Sequence, residues 1–582
     1  MPILKNIMGR PHFELKPDQE TVAQAPDLWY PDGNPNKQKS DTTFYEALEL
    51  PKIRDGALKK FLPEKRFPRK EKWEKGTDIF AQTEDYYDLI FQDGRFEPAL
   101  ANYRLDIMQC LRENPGARQN FEALFNALVP LIDIKGRRDD DTTRGFLIKG
   151  KAYCELIKNY TPFPSGVPEG LEKVNCHIKE VKASRGYKKL EEIVTKTQND
   201  FHLQMTWRCH GFMSELYHGP LAGDEVISAA ILPLNENVNE FGEGFGLEYY
   251  NRNIRYGETG TIQDIIERAI RLKFKRHFAN AQEQINQTAK LLPQMAIYLA
   301  DLAYMEEQEK RGVHYARPVF LPKEEGKSSF RNVHHPLVTE RTTSVGNPIV
   351  YNPQNSITLI TGPNKGGKTV YVKAVGIAHA RPLKGFFSPS EIVECSFRDG
   401  IYTHFIKPED ITKGESRFSD EMKRMESIFS QATPYSLVLL DEPCGGTTLS
   451  AGETKTQEFL EIFGELGCTV FLTTHMEGLA KKVSEGKIPR TINKHLSFSN
   501  MKNSVDGVTS FMNSSDREFG TKSNKINQIL CNGEIEYHYT LVDGPADMDY
   551  GAQIADSLGL GAENLRQRLR ERAQKEGFKL GQ

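Results

Sequence analysis

The stretch Gly362-Pro363-Asn364-Lys365-Gly366-Gly367-Lys368-Thr369 follows the short apolar run Ile357-Thr358-Leu359-Ile360. The spacing G-x-x-x-x-G-K-[ST] after a predicted strand is typical of a phosphate-binding loop. Its glycines let backbone N–H groups point at phosphate oxygens, at the positive end of the helix that follows. We therefore expect this loop to bind ATP. Lys368 would contact the β- and γ-phosphates, and the Thr369 hydroxyl would be a ligand of Mg²⁺.

A second apolar run, Ser436-Leu437-Val438-Leu439-Leu440, ends in the two carboxylates Asp441 and Glu442. A continuous apolar run of this length predicts a buried strand of a parallel sheet. We expect Asp441 to hold Mg²⁺ and Glu442 to act as the general base on the attacking water. A strand that ends in acids can also be a strand that runs into a loop, but the upstream phosphate loop favours the catalytic interpretation.

A third apolar run, Thr469-Val470-Phe471-Leu472-Thr473-Thr474, ends at His475. Ligands of open α/β sheets bind at the carboxyl ends of the strands, so we predict that His475 senses the γ-phosphate. The helix between the second and third runs should pack on the sheet through five apolar residues: Phe459, Leu460, Ile462, Phe463 and Leu466. Together the three runs predict a P-loop ATPase domain with a mostly parallel sheet.

Composition limits the class of protein. The 582 residues suggest several domains, and the net charge of −3 gives no overall positive field that would indicate nucleic acid. The eight cysteines have no C-x-x-C spacing, which favours reduced thiols over disulfides or a zinc site. No apolar run approaches the length of a membrane span, and the N-terminus lacks a signal-peptide core. We expect a cytoplasmic protein without a membrane partner.

The predicted fold class is α plus α/β: a helical core with long lever helices, followed by an ABC-like P-loop ATPase domain. We expect the lever region to be helical at 187–218 and, with a kink or break at Pro293, at 261–309. A compact helical bundle is the alternative. Near the C-terminus, the sequence predicts an edge strand through Ile535, Tyr537, Tyr539 and Leu541, a short helix from Gly551 to Leu558 and a basic helix at about 562–576. The predicted boundaries are 1–42 for an irregular lead-in, 43–186 for the helical core, 187–310 for the lever helices with a clamp-like tip near 221–260, and 311–582 for the ATPase domain with C-terminal dimerisation helices.

These segments resemble the MutS family of DNA mismatch-repair and recombination ATPases over about 290–560. Thr361 to Thr369 looks like the family's T-G-P-N-x-G-G-K-[ST], and Asp441-Glu442 with Gly446-Thr447-Thr448 is similar to D-E-x-x-x-G-T-[ST]. Gly414-Glu415-Ser416-Arg417-Phe418 through Glu421-Met422 resembles G-x-S-T-F-x-x-E-M. Thr474-His475 resembles the family's histidine, and Asp549-Tyr550-Gly551 its S-Y-G.

The resemblance implies a mechanism. Two ATPase modules of a homodimer would pair head to tail, so that Ser416 of one chain touches the γ-phosphate held by the other. ATP hydrolysis would then be coupled to the clamping of DNA, double-stranded or branched, in mismatch repair or recombination. Clustered basic residues on the upper arm would suit phosphate contacts, although a solvated helix face explains them too: Arg268, Arg271, Lys273, Lys275 and Arg276. The alternative is an ATP-driven switch that binds a protein partner without DNA.

Several positions depart from the family pattern. Ala451 stands where the family has an aspartate, and Arg417 replaces the usual threonine, both at the expected dimer seam. The residue that stacks on adenine stays open between Ile349 and Tyr351. Phe44-Tyr45-Glu46 matches the mismatch wedge F-x-E, but the helical core begins too soon after it for a reading domain. The sequence therefore predicts a short member without that domain.

A transporter or SMC-like ATPase is the remaining alternative. Leu449-Ser450-Ala451-Gly452-Glu453 looks like the LSGGQ signature of transporter ATPases. That signature must precede the strand with the two carboxylates, whereas this segment follows Asp441 and Glu442. Ser416 occupies the expected place instead, so the transporter interpretation fails.

Overall fold

The structure is a computed structural model of the chain. It describes residues 23–33, 43–62, 79–132, 143–196, 205–210, 213–218, 283–363, 366–405, 417–500, 535–546 and 562–576. The chain divides into two compact units. The first takes its described residues from 1–35, 57–90 and 106–303, and the second from 36–56, 91–105 and 304–582. Residues 43–56 and 91–105, which the sequence assigned to the helical core, thus cluster with the unit that holds the phosphate loop.

The N-terminal third of the described chain is helical. Its helices are α1 Thr43–Ala47, α2 Leu50–Phe61, α3 Ile79–Gln92, α4 Pro98–Glu113, α5 Pro115–Ile132, α6 Thr143–Asn159, α7 Glu169–Ala183 and α8 Arg185–Lys196. Within the first unit, the irregular segment 23–33 is fixed by packing. The ring of Trp29 stacks on Tyr298 with centroids 4.3 Å apart, and its Nε1 donates to the carbonyl oxygen of Gln294 at 3.2 Å.

The helix predicted over 187–218 is wrong beyond its first part. α8 ends at Lys196, and strands β1 Met205–His210 and β2 Met213–His218 pair antiparallel. The segment is rich in residues that favour strands, such as Thr206, Trp207 and Tyr217. Glycine as the first of two connecting residues is typical of a type II′ hairpin turn. Gly211 is therefore a feature of the sequence from which a hairpin could have been predicted.

The helix α9, Leu291–Glu309, follows a break at Lys290, close to the expected one at Pro293. Every residue of this helix from 291 to 302 is buried. A helix that is largely apolar on all sides lies within a core, surrounded by other elements. The predicted clamp-like tip near 221–260 and most of the predicted stretch 261–309 lie outside the described residues.

The second unit contains a six-stranded sheet in the order β12-β11-β6-β10-β9-β8. Its strands are β6 Ile357–Thr361, β8 Ile401–His404, β9 Leu437–Asp441, β10 Thr469–Thr473, β11 Thr491–Asn500 and β12 Ile535–Asp543. Five strands are parallel, and β12 pairs antiparallel at the edge. Every residue of β6, β9 and β10 is buried, as continuous apolar strands of a parallel sheet require. The mostly parallel sheet and the edge strand are confirmed.

A second, four-stranded sheet lies in the same unit, in the order β3-β7-β4-β5. Its strands are β3 Val319–Leu321, β4 Ser328–Val333, β5 Asn347–Tyr351 and β7 Ile392–Ser396. The remaining helices are α10 Pro336–Thr339, α11 Lys368–Leu383, α12 Arg417–Gln431, α13 Leu449–Leu466, α14 Glu477–Ser484 and α15 Ala562–Glu576. Helix α11 contacts β9 and β10 of the large sheet and β4 of the small one, which explains why nearly all of it is buried.

Two predictions about helices of this unit have clear outcomes. Phe459, Leu460 and Phe463 of α13 are buried in the sheet's core, but Ile462 is 47% exposed, so the predicted packing face is wrong at that residue. The basic C-terminal helix is confirmed as α15, and the predicted helix from Gly551 to Leu558 lies outside the described residues. Within the described part of the chain, no helix has the length and apolar character needed to span a bilayer.

Candidate functional site

The predicted phosphate loop joins the end of β6 to the start of α11. Gly362 has a φ of +134° and Gly367 a φ of +87°, values that residues with side chains rarely adopt. A Cβ atom on Gly366 would lie 3.0 Å from the carbonyl oxygen of Pro363. The first N–H groups of an α-helix have no acceptor within the helix, so the start of α11 offers donors to an anion. The predicted loop residues Asn364 and Lys365 lie outside the described part of the chain.

Lys368 is the first residue of α11 and is buried. Its Nζ donates to the carbonyl oxygens of Gly362 at 2.7 Å and Pro363 at 3.1 Å, and it lies 3.7 Å from Oε1 of Glu442. Burial lowers the pKa of Lys368, while the carboxylates of Glu442 and Asp441 oppose that effect. The amine therefore lies between the loop and the carboxylates, and its N–H groups can donate hydrogen bonds to phosphate oxygens.

Thr369 and Asp441 meet although they are far apart in sequence. The Thr369 hydroxyl donates to Oδ1 of Asp441 at 2.9 Å and has a longer contact of 3.2 Å with Oδ2. A hydroxyl and a carboxylate are hard oxygen donors, and Mg²⁺ is usually held by one or two protein oxygens together with water and phosphate. The pair thus fits the predicted magnesium site. Among the described residues, no group of three or more His, Cys, Asp or Glu side chains suits a metal held by the protein alone.

Glu442 continues the chain from Asp441 in a left-handed conformation, with a φ of +47°. Its Oε1 lies 3.7 Å from Nδ1 of His475 and 3.7 Å from Nζ of Lys368. The interaction with the nearby His475 ring is the main cause that lowers the pKa of Glu442, and the same interaction raises the pKa of His475. The carboxylate is therefore ionised at neutral pH and lies between two basic groups at the carboxyl edge of the sheet.

Ser416, the predicted contact to a partner's γ-phosphate, lies outside the described residues. Helix α12 begins directly after it at Arg417. Further along α12, the buried carboxylate of Glu421 accepts a hydrogen bond from the backbone N–H of Gly446 at 3.3 Å. The segment that resembles the family's signature is thereby connected to the loop after Glu442. Ala451, in the first turn of α13, is exposed.

The structure disfavours both candidates for stacking on adenine. Ile349 and Tyr351 are buried in β5. The Tyr351 hydroxyl accepts a hydrogen bond from Ser328 at 2.6 Å and is 2.9 Å from Nε2 of His379. Their side chains are part of the core, so neither offers a free face to a ligand.

Tyr539 is a better placed aromatic residue, and sequence reasoning assigned it only to an edge strand. Its Cδ1 would lie 3.0 Å from a Cβ on Gly367, so the ring lies against the phosphate loop. The pairing of β11 with β12 shifts register at this point, and Tyr539 has a φ of +56°. Asn347 fixes the irregularity, since its amide donates to the Tyr539 carbonyl at 2.9 Å and accepts from the Leu541 N–H at 2.7 Å. Such bulges often redirect a side chain beside an active site.

Comparison with known proteins adds a family relationship. Residues 358–575 match the family description "MutS domain V". A "DNA mismatch repair protein MutS" from Streptococcus equi subsp. equi is 28% identical over 283 residues, which is 48% of this chain and 29% of the relative. The protein of the same name from a strain of Thermus thermophilus is 26% identical over 297 residues, 51% of this chain and 31% of the relative. The chain thus spans less than a third of the length of these curated relatives.

Proposed function

The chain belongs to the MutS family through its domain V, residues 358–575, and on this basis we propose that it is a Mg²⁺-dependent ATPase that clamps DNA. One observation carries the ATPase proposal. Lys368 and Thr369, at the start of α11, meet Asp441 and Glu442, at the end of β9, within hydrogen-bond or ion-pair distance. A cation donor, a metal-binding pair and an ionised carboxylate are the groups that phosphoryl transfer to water needs.

Each side chain has a definite role in this proposal. The N–H groups at the start of α11 and the Lys368 amine bind the phosphates, and the amine exchanges its bonds to the loop carbonyls for bonds to phosphate oxygens. Thr369 and Asp441 hold Mg²⁺, which supplies neutralisation of the developing phosphate charge. Tyr539 provides an aromatic surface for the adenine ring.

Glu442 orients and polarises the attacking water in this scheme. Because its pKa is lowered, the carboxylate is ionised at neutral pH and can accept a hydrogen bond from water. His475 lies on the other side of this carboxylate and is 48% exposed, so it can donate to the γ-phosphate while it restrains Glu442. Ser416 of a second copy would add a hydroxyl to the γ-phosphate in a head-to-tail homodimer.

The DNA part of the proposal is supported by the relatives, which are named DNA mismatch repair proteins. We propose that the lever region 187–310 and its tip hold double-stranded or branched DNA after ATP closes the dimer. We also propose that the protein is cytoplasmic. The division into a helical core within 43–186 and an ATPase domain from 311 belongs to the same proposal, except that residues 43–56 and 91–105 cluster with the unit that holds the phosphate loop.

Phosphate release from ATP by the purified chain of 582 residues tests the ATPase proposal. Lys368→Ala should abolish nucleotide binding, and Glu442→Gln should bind ATP but stop its turnover. Chelation of Mg²⁺ should stop turnover as well. Glu458→Gln is the matched control, because this exposed carboxylate of α13 pairs with Lys455 at 2.7 Å and has no role in the proposed reaction. Full turnover by Glu442→Gln would show that the general base is misassigned.

A panel of DNA shapes tests the DNA proposal separately. Mobility and ATPase rate should be measured with duplex, mismatched duplex and four-way junction DNA, with and without ATP. We expect ATP to change the binding of at least one of these shapes. If none of them binds or alters the hydrolysis rate, DNA clamping is refuted while the ATPase proposal stands.

A further inference from the structure

Thr473 is the last residue of β10, the strand between β6 and β9. Its register partners are Ile360 on β6 and Asp441 on β9, and its side chain is fully buried. The proposed reaction assigns it no role. A threonine at the end of a buried parallel strand must satisfy its hydroxyl locally, because water does not reach it.

The Thr473 hydroxyl connects the two carboxylate residues of the site. It donates to Oδ1 of Asp441 at 2.6 Å and accepts a hydrogen bond from the backbone N–H of Glu442 at 3.1 Å. That N–H is also 3.1 Å from the carbonyl oxygen of Thr473. A hydroxyl has one donor hydrogen and two acceptor lone pairs, so one side chain can bind both neighbours at once.

The first bond fixes the orientation of the Asp441 carboxylate. Oδ1 receives two hydroxyl donors, Thr473 at 2.6 Å and Thr369 at 2.9 Å, whereas Oδ2 has only the longer 3.2 Å contact with Thr369 among the bonds within the described chain. Oδ2 therefore keeps acceptor capacity for a cation or its bound water. Without the Thr473 hydroxyl, Oδ1 would lose the shorter of these two bonds, and the bonds from Thr369 would restrain rotation about the Cβ–Cγ bond less tightly.

The second bond supports the backbone of Glu442. Its φ of +47° is a left-handed conformation, which for a residue other than glycine costs about 1–2 kcal/mol. Such a conformation persists only where surrounding contacts determine it. The forked hydrogen bond from the Glu442 N–H to both oxygens of Thr473 is such a contact, and it sets the direction in which the Glu442 side chain leaves the strand.

We propose that Thr473 is a positioning residue of the ATPase site, whose hydroxyl holds the metal-binding carboxylate and the water-orienting carboxylate in a fixed mutual geometry. This inference rests on the proposed function. In this proposal the residue acts through Asp441 and Glu442, so loss of its hydroxyl should reduce the rate of chemistry and the effect of Mg²⁺ far more than the affinity for nucleotide without Mg²⁺.

The test compares Thr473→Val with Thr473→Ser and with Thr358→Val. Valine keeps the shape and removes the hydroxyl, while serine restores it. Thr358 on β6 is the matched control, because it is equally buried and its hydroxyl has no hydrogen-bond partner within the described chain. Four quantities should be measured for each protein: kcat for ATP, KM for ATP, the Mg²⁺ concentration that gives half of the maximal increase in affinity for a fluorescent ADP analogue, and the melting temperature.

We expect Thr473→Val to lower kcat about tenfold or more, as for the loss of a hydrogen bond to a charged group. The Mg²⁺ requirement should rise, while ADP affinity without Mg²⁺ should change less than about twofold. Thr473→Ser and Thr358→Val should resemble the unaltered protein.

A kcat for Thr473→Val within about twofold of the unaltered protein would overturn the proposal, and so would an equal loss in Thr473→Ser, which would indicate packing of the methyl group. If Thr473→Val does not fold, Thr473→Ala takes its place, since it also removes the hydroxyl; a kcat for Thr473→Ala equal to that of Thr473→Ser would overturn the proposal. An unaltered protein that neither hydrolyses ATP nor shows Mg²⁺-dependent ADP binding would refute the proposed function itself, and this inference with it.

Discussion

Lys384, just beyond the C-terminal end of α11, gives a quantitative prediction about the unit that holds the phosphate loop. Its side chain is fully buried, and its Nζ donates to the carbonyl oxygens of Asp93 at 2.5 Å and Arg95 at 3.3 Å. The amine also lies 4.0 Å from the centre of the Phe96 ring. Burial, assisted by the positive charge of Arg104, lowers the pKa of Lys384 from 10.5 to about 7. The perturbation is Lys384→Met, which keeps a long side chain and removes the titrating group.

The sign of the effect follows from proton binding. Between the folded pKa of about 7 and the unfolded pKa of 10.5, the unfolded chain carries a proton on this lysine and the folded chain does not. Stability therefore rises with pH across this window, by up to about 1.4 kcal/mol per pH unit. From pH 7 to pH 9 the contribution of Lys384 should be about 2–3 kcal/mol. Lys384→Met lacks this contribution.

The assay is denaturant unfolding of both proteins at pH 7 and pH 9, with fluorescence as the probe. Burial raises the pKa of thiols such as Cys395 and Cys468, so they stay protonated in the folded protein at a pH where unfolded thiols ionise. These thiols therefore lower the free energy of unfolding as the pH rises through that range. That effect is common to both proteins and cancels in their difference. We expect the unaltered protein to gain about 2–3 kcal/mol relative to Lys384→Met over this pH interval.

A difference between the two proteins that stays constant within about 0.5 kcal/mol from pH 7 to pH 9 would refute the reasoning, since each pKa unit is worth about 1.4 kcal/mol. It would mean that the two carbonyl oxygens and the Phe96 ring stabilise the ammonium as well as water does. The lysine would then be protonated in the folded protein.

Two further predictions concern Tyr539 and Gly376. Tyr539→Ala should weaken binding of a fluorescent ATP analogue about tenfold, because a base stacked on an aromatic ring contributes about 1–3 kcal/mol. Tyr539→Phe keeps the ring and should bind the analogue normally. An equal loss of affinity in both variants would rule out stacking. A Cβ at Gly376 would lie 2.5 Å from Cδ2 of Leu48 and 2.7 Å from Cδ1 of Leu439, so Gly376→Ala should lower the free energy of unfolding by about 1–3 kcal/mol in a denaturant titration. The control is Gly464→Ala, whose Cβ would have its nearest neighbour among the described residues at 3.7 Å, so this variant should be as stable as the unaltered protein or more stable. Equal stability of the two variants would contradict the predicted clash.

The sequence predicted much of the large sheet, and the physical reason is local. Buried parallel strands need continuous apolar runs, so β6, β9 and β10 were visible as such. Their carboxyl ends meet at one edge of the sheet, which is why Thr369 and Asp441 were expected to meet, as they do at 2.9 Å. The roles given to these residues, and to Lys368, Glu442 and His475, remain predictions that the proposed variants test.

Other features depended on contacts that no local pattern reveals. The hairpin β1–β2 replaced a predicted helix, because antiparallel pairing overrode an ambiguous pattern. Tyr351 looked available for stacking on adenine, yet the small sheet buries it against His379. Ser416 and the tip near 221–260 lie outside the described residues, so those predictions are unchanged.

By itself the sequence determined which residue types stand at the ends of the central strands, because glycine spacing and apolar runs are properties of neighbouring residues. Only the tertiary structure decided which side chains share a hydrogen bond or a ring contact. Thr473 reaches both Asp441 and Glu442 through the register of β10 against β9, and Tyr539 reaches Gly367 through a bulge in β12. Register and bulges are set by pairing between distant segments, so their consequences appear only when the chain is folded.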